Sequence, residues 1–522
     1  MSTAIAKQEL SSKSAPAPEE LTKELILSKP QWAVFCARAA RVLNMAGQGS
    51  GKSGMIGILS GFFIQNFPQV KGFIAANTYM QLNQSTLIQC TKMWKEYFNL
   101  LPYDARTGKG DYVMDAKPPS SFTVYHKLKT YNNTISFRNG KLIFVGSLDN
   151  YLAHDGKEFA WAHLDETKDT KEVALKMVIL ARIREVGIFY NPDDPDPSTN
   201  LQYFDPKAGA PEGWMPFNPC YIHTSPAEGT VEWLTTMFKL DQWEHDILDK
   251  IVSETDFFQR REGNREVIIY STYHNKKNLP ADYIENRKND LTEAQQLKFI
   301  YGYPFSKTGG EFYTQFDRIK HIRQAPFLKY APIHLSYDFN VLPYMTLLAA
   351  QILEDDKVFQ IRFFKEYCLA SPRNSTRAVS EAFLLDYQDE ITDLFYYGDA
   401  SGKNRIAGKG DTTNYDDVRE VLEYYLTDAS DRVSRSNKPI MKRREFIERI
   451  FAGKVFLAGK KVEIIVDPEC KELIKDFQYL MLGVDGKLKE LAKNEEGASY
   501  QKLGHTSDAA EYLICEILSD LM

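Results

Sequence analysis

Val42–Ser53 reads VLNMAGQGSGKS, an apolar run that ends in a glycine-rich turn and closes on Gly51-Lys52-Ser53. The stretch that follows, GMIGILSGFFIQNF, keeps its apolar residues at helical spacing as far as Asn66 and stops before Pro68. Strand, glycine turn and helix with GKS at the junction are the parts of a phosphate-binding loop. Small residues let backbone N–H groups turn inward around an anion, and the helix points its positive end at it. Gly47, Gln48, Gly49, Ser50 and Gly51 make the cradle, Lys52 reaches the β- and γ-phosphates of ATP, and the Ser53 hydroxyl holds Mg²⁺. The usual pattern GxxxxGK[ST] has Ala46 in place of its first glycine. A chance glycine-rich turn is the competing reading, and the strand before it and the helix after it count against that.

A chain of 522 residues exceeds one ordinary core, so two or more domains are expected. A hydrophobic share of 43% supports folded cores rather than disorder. The longest apolar stretch, Met55 to Ile64, is too short and too glycine-rich to span a bilayer. Met1 to Glu20 is polar and lacks the hydrophobic centre of a signal peptide, so residues 1–24 are expected to be a flexible tail of a protein that is not secreted. The six cysteines form no CxxC pair, which suits a reducing cytosol and gives no zinc signal. With 64 Lys and Arg against 70 Asp and Glu the net charge is −6, which counts against a globally basic nucleic-acid coat and leaves room for a local basic channel.

Before the loop, Ser28-Lys29-Pro30 opens a short helix, QWAVFCARAA. The Gln31 amide has a donor and an acceptor to match an adenine edge; a surface glutamine is the alternative. After it, Gly72–Asn77 (GFIAAN) reads as a buried strand, and TYMQLNQSTLIQCTKMWKEYF as a helix. NTISFRNGKLIFVGS alternates on both sides of Asn139-Gly140 and predicts a hairpin. FAWAHLDE, Phe159–Glu166, is an apolar strand that delivers Asp165 and Glu166 to its C-terminal end, where ligands of open α/β sheets gather. Asp165 is expected to hold Mg²⁺ through water, and Glu166 to orient or deprotonate the water that attacks the γ-phosphate. Acidic residues often end strands, so this pair gains its meaning from the phosphate loop upstream. VILARIRE offers Arg182 and Arg184 as arginine-finger candidates, in cis or toward a neighbouring subunit, against the plainer reading of surface arginines. CYIHTSP ends a strand in Thr224 and Ser225, a tip placed to sense the γ-phosphate. Residues 191–219 read as a long exposed excursion, and residues 230–296 as mostly helical with one strand at Glu266–Tyr270.

The pattern changes after a boundary at residues 302–310. PIHLSYDFN, PYMTLLAAQI and KVFQIRFFKEY make three strands in a meander; a helix follows from about Arg373 to Tyr387; LFYYGDASG makes a fourth strand. That order is the order of the RNase H-like nuclease fold, in which the first and fourth strands lie side by side, so Asp338 and Asp399 should meet. HTSDAAEYLICEIL supplies Asp508 in the first turn of a late helix, with Ala509, Leu513 and Leu518 toward the core. Three converging carboxylates repel one another, and two Mg²⁺ or Mn²⁺ ions would relieve the repulsion and serve phosphodiester cleavage. Lys442, Arg443 and Arg444 form a local basic run that either tracks a phosphate backbone or is a solvated helix face. The expected fold class is therefore α/β: an N-terminal P-loop NTPase sheet with helices on both faces and a C-terminal RNase H-like nuclease domain. The expected domains are a P-loop ATPase core over 25–235, a lid or linker over 236–310 and the nuclease over 311–522.

In order, GQGSGKS, HLDE, HTSP, the STYHN of Ser271–Asn275, GYPFSKTGGEFY, and the segments YDFN, GDAS and TSDAAEY resemble the large terminase subunit of tailed bacteriophages. The resemblance runs from about Leu25 to the C-terminus; the ordered set is specific where no single string is. It implies an ATP-driven translocase and endonuclease for double-stranded DNA, docked as a ring, a pentamer, on a viral portal protein while a small terminase subunit helps select the DNA. It also implies work in the host cytoplasm, transiently on the procapsid, with no membrane. Gln31 sits where the family's adenine-contacting glutamine lies, and Thr224 and Ser225 match its coupling motif. Many relatives carry a basic residue inside the phosphate loop where this chain has Gln48, which leaves the source of γ-phosphate stabilisation open and directs attention to Arg182 and Arg184. One rival is a host or mobile-element helicase-nuclease, for which the chain lacks room for a second ATPase domain. The other is a scaffold protein with a decayed nuclease, against which the intact acidic triad stands.

Overall fold

The computed structural model describes residues 24–227, 232–307, 309–405, 412–484, 486–488, 491–493 and 499–522. The tail expected over residues 1–24 lies outside these but for its last residue. The chain divides into two compact units, Met1–Ser306 and Lys307–Met522.

The first unit is built on β1 (Arg41–Ala46), β2 (Lys71–Ala76), β3 (Tyr112–Met114), β4 (Thr134–Phe137), β5 (Leu142–Ser147), β6 (Trp161–Asp165), β7 (Ile188–Tyr190), β8 (Leu201–Tyr203), β9 (Met215–Pro216), β10 (Cys220–Thr224), β11 (Phe258–Glu262) and β12 (Arg265–Tyr270). Nine of these form one sheet in the order β11-β12-β1-β10-β6-β2-β5-β4-β3. From β12 to β5 every neighbour is parallel, and the antiparallel pairs stand at the edges. A parallel sheet is covered on both faces, which is why β1 (RVLNMA) and β2 (KGFIAA) are buried at every residue after the first. Alternate residues enter opposite cores. Val42, Ala46 and Ile74 meet the helices Lys52–Asn66 and Leu87–Phe98, whereas Leu43, Met45 and Phe73 meet Leu175, Ile179 and Ile247. These two helices cross closely because Gly57 and Gly61 lie at the contact. A Cβ at Gly57 would stand 2.7 Å from Met93 Cβ, and one at Gly61 2.4 Å from the Phe98 ring.

Two expectations change here. Residues 191–219 are not only an excursion: β8 and β9 flank β7 in a small three-stranded sheet whose strands are too short to show a period between the Pro, Asp and Gly turns. The segment expected to be a lid supplies two strands to the main sheet, since β12 pairs in parallel with β1 and β11 pairs with β12. The β11 sequence, FQRRE, is a charged edge strand, and such strands carry little apolar signal. The helix after β2 is also interrupted by a π-helical turn, Leu82–Thr86, before Leu87–Phe98.

The second unit has a six-stranded sheet of β13 (Ile333–Asp338), β14 (Met345–Glu354), β15 (Val358–Leu369), β16 (Leu394–Gly398), β17 (Phe456–Leu457) and β18 (Lys460–Val466), in the order β16-β13-β14-β15-β18-β17. The first three strands are an antiparallel meander and β16 lies parallel to β13, the RNase H-like arrangement. The strand β18, parallel to β15 on its other side, is an addition to the expected four. A short hairpin, β19 (Leu482–Gly483) and β20 (Gly486–Lys487), precedes the last helix, His505–Ile517. That helix starts after Gly504, with Asp508 in its first turn, and it lies on β13, with Ser336 Oγ donating to the Ala509 carbonyl at 2.6 Å. Ala509, Leu513 and Leu518 are all in the core.

Candidate functional site

In the first unit the register sets the site. Thr224 of β10 stands beside Met45 of β1, and His223 beside Asp165 of β6, so the phosphate loop, the Asp165–Glu166 tip and the Thr224–Ser225 tip share the C-terminal edge of the parallel strands. Gly49 and Gly51 hold φ of +75° and +87°, and the helix begins at Lys52. Lys52 is buried; its Nζ donates to the Ala46 and Gly47 carbonyls at 3.1 and 3.0 Å, holding the loop on itself. Burial lowers the proton affinity of Lys52, and the charges of Glu166 and Asp165 oppose that. Ser53 Oγ lies 3.4 Å from Asp165 Oδ1, and Thr86 Oγ1 donates to Asp165 Oδ2 at 2.7 Å. Burial pushes the Asp165 carboxyl up to about 6 against those hydroxyls. Glu166 follows in the left-handed region, φ +47°, with its N–H donating to the His223 carbonyl at 2.8 Å. Its Oε2 is buried without a hydrogen-bond partner. A strained residue that holds an unpaired carboxylate oxygen beside a lysine is costly unless a ligand or water completes it. Ser53, Asp165 and the free Glu166 oxygen are hard oxygen donors of the kind Mg²⁺ takes, so the residues present fit that ion.

Gln31 spends its amide locally. Its Oε1 accepts from the Ser28 N–H at 3.0 Å, and its Nε2 donates to the Ser50 carbonyl at 3.4 Å, against the loop. Thr224 and Ser225 are buried, and Thr224 Oγ1 donates to the Ser225 carbonyl. Arg182 is paired with Asp155 and Arg184 with Glu158, and neither is bonded to the loop or to Asp165 and Glu166 among the described residues. The loop instead meets the segment after β12. The Gln48 N–H donates to the Phe299 carbonyl at 2.7 Å and Thr272 Oγ1 to the Gln48 carbonyl at 2.7 Å; Asn275 Nδ2 donates to the Gly49 carbonyl at 2.7 Å, and Arg287 Nη2 to Gln48 Oε1 at 2.8 Å. Thr86 and Arg287 carried no motif; Asn275 and Thr272 lie in the STYHN string, which had a resemblance but no role.

In the second unit Tyr337 pairs with Gly398, so Asp338 and Asp399 leave neighbouring parallel strands at the same end. Asp338 is buried, accepting from Asn340 Nδ2 at 2.6 Å and lying 3.2 Å from His505 Nδ1. Burial raises its proton affinity, His505 and Asn340 oppose this, and the charge of Asp508 adds to it. Asp399 caps the turn at Ala400–Lys403 through the Ser401 N–H and accepts from Asn437 Nδ2 at 2.6 Å. The third carboxylate, Asp508, is 3.0 Å from Arg443 Nη2 and 2.9 Å from Lys487 Nζ, and Lys487 is also 3.2 Å from Glu511. Burial lifts the Tyr512 phenol, and the charges of Asp508, Asp338 and Asp399 lift it further. Among the described residues no group of three or more His, Cys, Asp or Glu side chains is drawn together as a finished metal cage. The three carboxylates are nevertheless the all-oxygen donor set that Mg²⁺ or Mn²⁺ takes, and their repulsion is relieved here by two cations on Asp508. A shallow, open depression is lined by Gly398, Arg432, Asn437, Lys438, Arg443 and Tyr512, among others. Of the basic run, Arg443 is buried on Asp508 and Arg444 Nε donates to the Phe312 carbonyl, so the run is not a uniform solvent-facing track. Glu511, Lys487 and His505 were not among the expected site residues; the spacing of Glu511 three residues after Asp508 on one helix was a signal for it, and Lys487 had none.

No protein-family model matches the chain, and no curated protein does. Solved structures similar to it are large terminases of several phages. The large terminase of a thermophilic bacteriophage is 13% identical over 94% of this chain and 99% of its own, with a TM-score of 0.36. The HK97 bacteriophage large terminase is 9% identical over 95% and 96%, with a TM-score of 0.36. The nuclease domain of the large terminase of bacteriophage SPP1, solved with bound Mn, is 12% identical and covers 39% of this chain and 96% of its own, with a TM-score of 0.23. All three scores lie below 0.5, so the likeness adds no weight to the geometry of the two sites.

Proposed function

We propose that this chain is a DNA-packaging motor subunit of the large-terminase kind: its first unit hydrolyses ATP to move double-stranded DNA into a procapsid, and its second cuts that DNA. The observation that carries the reading is the meeting of Lys52, Ser53, Asp165 and the unpaired Glu166 oxygen at one sheet edge. In the reaction, a water oxygen bonds to the γ-phosphorus as the bond to the β,γ-bridging oxygen breaks, ADP leaves, and the Glu166 carboxylate takes the proton from the water. Lys52 exchanges its two loop carbonyls for phosphate oxygens, a gain of charge-assisted bonds over neutral ones. Ser53 and Asp165 would hold Mg²⁺, which when bound neutralises charge on the phosphates. In this reading Thr224, at the end of the strand between β1 and β6, and Ser225 just after it pass a change at the γ-phosphate to the sheet; their position at the same sheet edge as the loop supports this.

In the second unit Asp338, Asp399 and Asp508 would hold two divalent cations, which when bound activate a water and stabilise the leaving 3′ oxygen of a phosphodiester. Asn340, His505 and Asn437 orient the first two carboxylates, and Arg443 and Lys487 hold the third until the site is loaded. The partners of this reading are double-stranded DNA, a portal protein, a small terminase subunit and further copies of the chain in a ring, in the host cytoplasm. The test is incubation of the purified protein with plasmid and Mg²⁺ or Mn²⁺, with and without ATP, followed by a gel and a phosphate-release assay. ATP hydrolysis with metal-dependent cutting is the expected result; a protein that does neither is not this motor.

A further inference from the structure

Among the described residues, one guanidinium touches the apex of the phosphate loop, and it comes from far along the chain. Arg287 lies on the helix Tyr283–Asp290 and donates from Nη2 to Gln48 Oε1 at 2.8 Å. Among the described residues no carboxylate stands within ion-pair distance of Arg287, and the acceptor of its hydrogen bond is a neutral amide. The candidates singled out in the sequence differ: Arg182 and Arg184 are each paired with an acid. A half-buried guanidinium left on a neutral acceptor keeps nearly all its charge for another ligand.

Its helix also meets the loop at Tyr283, whose ring would lie 3.2 Å from a Cβ on Gly49. Asn275 Nδ2, on the turn before the helix, holds the Gly49 carbonyl, and Gln296 Nε2, on the helix after it, donates to the Lys288 carbonyl at 2.9 Å. Arg287 is therefore at the loop before any nucleotide arrives, and residues 47–49 are the part of such a loop that turns over the terminal phosphates.

We propose that Arg287 is the cation that stabilises phosphoryl transfer in this chain, acting in cis, with Gln48 as the neutral post that keeps it at the loop until a terminal phosphate takes it. This rests on the ATPase reading above. A multiply charged phosphate outcompetes an amide oxygen for a guanidinium because its hydrogen bonds are charge-assisted and bidentate. The interaction then strengthens as charge builds on the transferring group, so it acts on turnover more than on binding.

The experiment compares the full-length parent, Arg287→Ala, Arg287→Lys and Lys52→Ala by steady-state ATP hydrolysis and by titration with a fluorescent ATP analogue. Arg287→Ala should bind the analogue within ~3-fold of the parent and turn over ~10²-fold more slowly. Arg287→Lys should recover part of the loss, which a purely structural role would not produce. Mixing Arg287→Ala with Lys52→Ala subunits should restore nothing, because each active site needs both residues from its own chain; recovered turnover would mean the residue acts on a neighbour and would overturn the proposal. Turnover of Arg287→Ala within ~3-fold of the parent, with Lys52→Ala inactive, would also overturn it and leave the ATPase reading standing. Hydrolysis unchanged in Lys52→Ala would instead remove the ATPase site itself. If Arg287→Ala does not fold, Arg287→Gln replaces it in the same comparisons.

Discussion

Thr86 and Asp165, on different segments of the first unit, are joined at 2.7 Å by a hydroxyl that donates to a buried carboxylate. The bond fixes one Asp165 oxygen and leaves the other toward Ser53. Thr86→Val keeps the shape and removes the donor. Removing a residue that orients a ligand costs ~10- to 100-fold in affinity or activity, so the expected result is that much loss in Mg²⁺-dependent ATP turnover. Parent-like magnesium dependence would show that Ser53 alone orients Asp165.

The two chemistries should separate. Lys52→Ala and Glu166→Ala are expected to lower ATP hydrolysis by ~10²- to 10⁴-fold while metal-dependent plasmid cutting by the same protein continues. Simultaneous loss of both activities in a folded variant would contradict two independent sites.

Asp338→Ala should do the reverse, removing cutting while ATP turnover stays at the parent level. It also releases His505 and Asn340 from their shared acceptor. Cleavage at the parent rate would take Asp338 out of the nuclease site.

Gly57 and Gly61 make a stability prediction. A side chain at either meets Met93 or Phe98 well inside contact distance. Gly61→Val should lower the stability of the first unit by ~1–3 kcal/mol, the usual cost of overfilling a core. Thermal unfolding of the full chain measures it; an unchanged midpoint would mean the two helices part without cost.

Glu366 gives a pH dependence away from either site. It accepts from the Glu472 and Leu473 N–H groups at 2.8 and 3.0 Å, yet burial pushes its carboxyl up from 4.5 to about 7. The folded state therefore holds a proton that the unfolded state releases between those values. Stability from this group is present at low pH and is lost as pH rises from about 4.5 to about 7, at most ~3 kcal/mol. Glu366→Gln should flatten the fall in melting temperature over that range; an equally steep fall would assign the effect to other groups.

The sequence made some of this legible for physical reasons and hid the rest. Strands buried on both faces show as apolar runs, so β1, β2, β6 and β10 were readable, and acids at their ends were readable with them. The order of β13 to β16 could be followed because each strand is long enough to carry a pattern. Charged β11, and β8 and β9 with their two or three residues, carry none. At the sites, residues that act at a strand tip or in a glycine turn have a local signature. Thr86 and Arg287 act because the chain folds back over a long separation, and nothing near them in sequence encodes that. Lys487 belongs to a hairpin of four strand residues and is visible only through Asp508 and Glu511.

The bonds from Tyr270, Thr272, Asn275 and Phe299 onto residues 47–49 have a practical meaning for dissecting this chain. A fragment stopped near residue 235 would contain every hallmark string of a nucleotide binder and yet lack the buttress that gives its loop a shape. The smallest piece worth expressing on its own runs to Ser306, and trimming it further removes a supporting wall rather than a dispensable appendage.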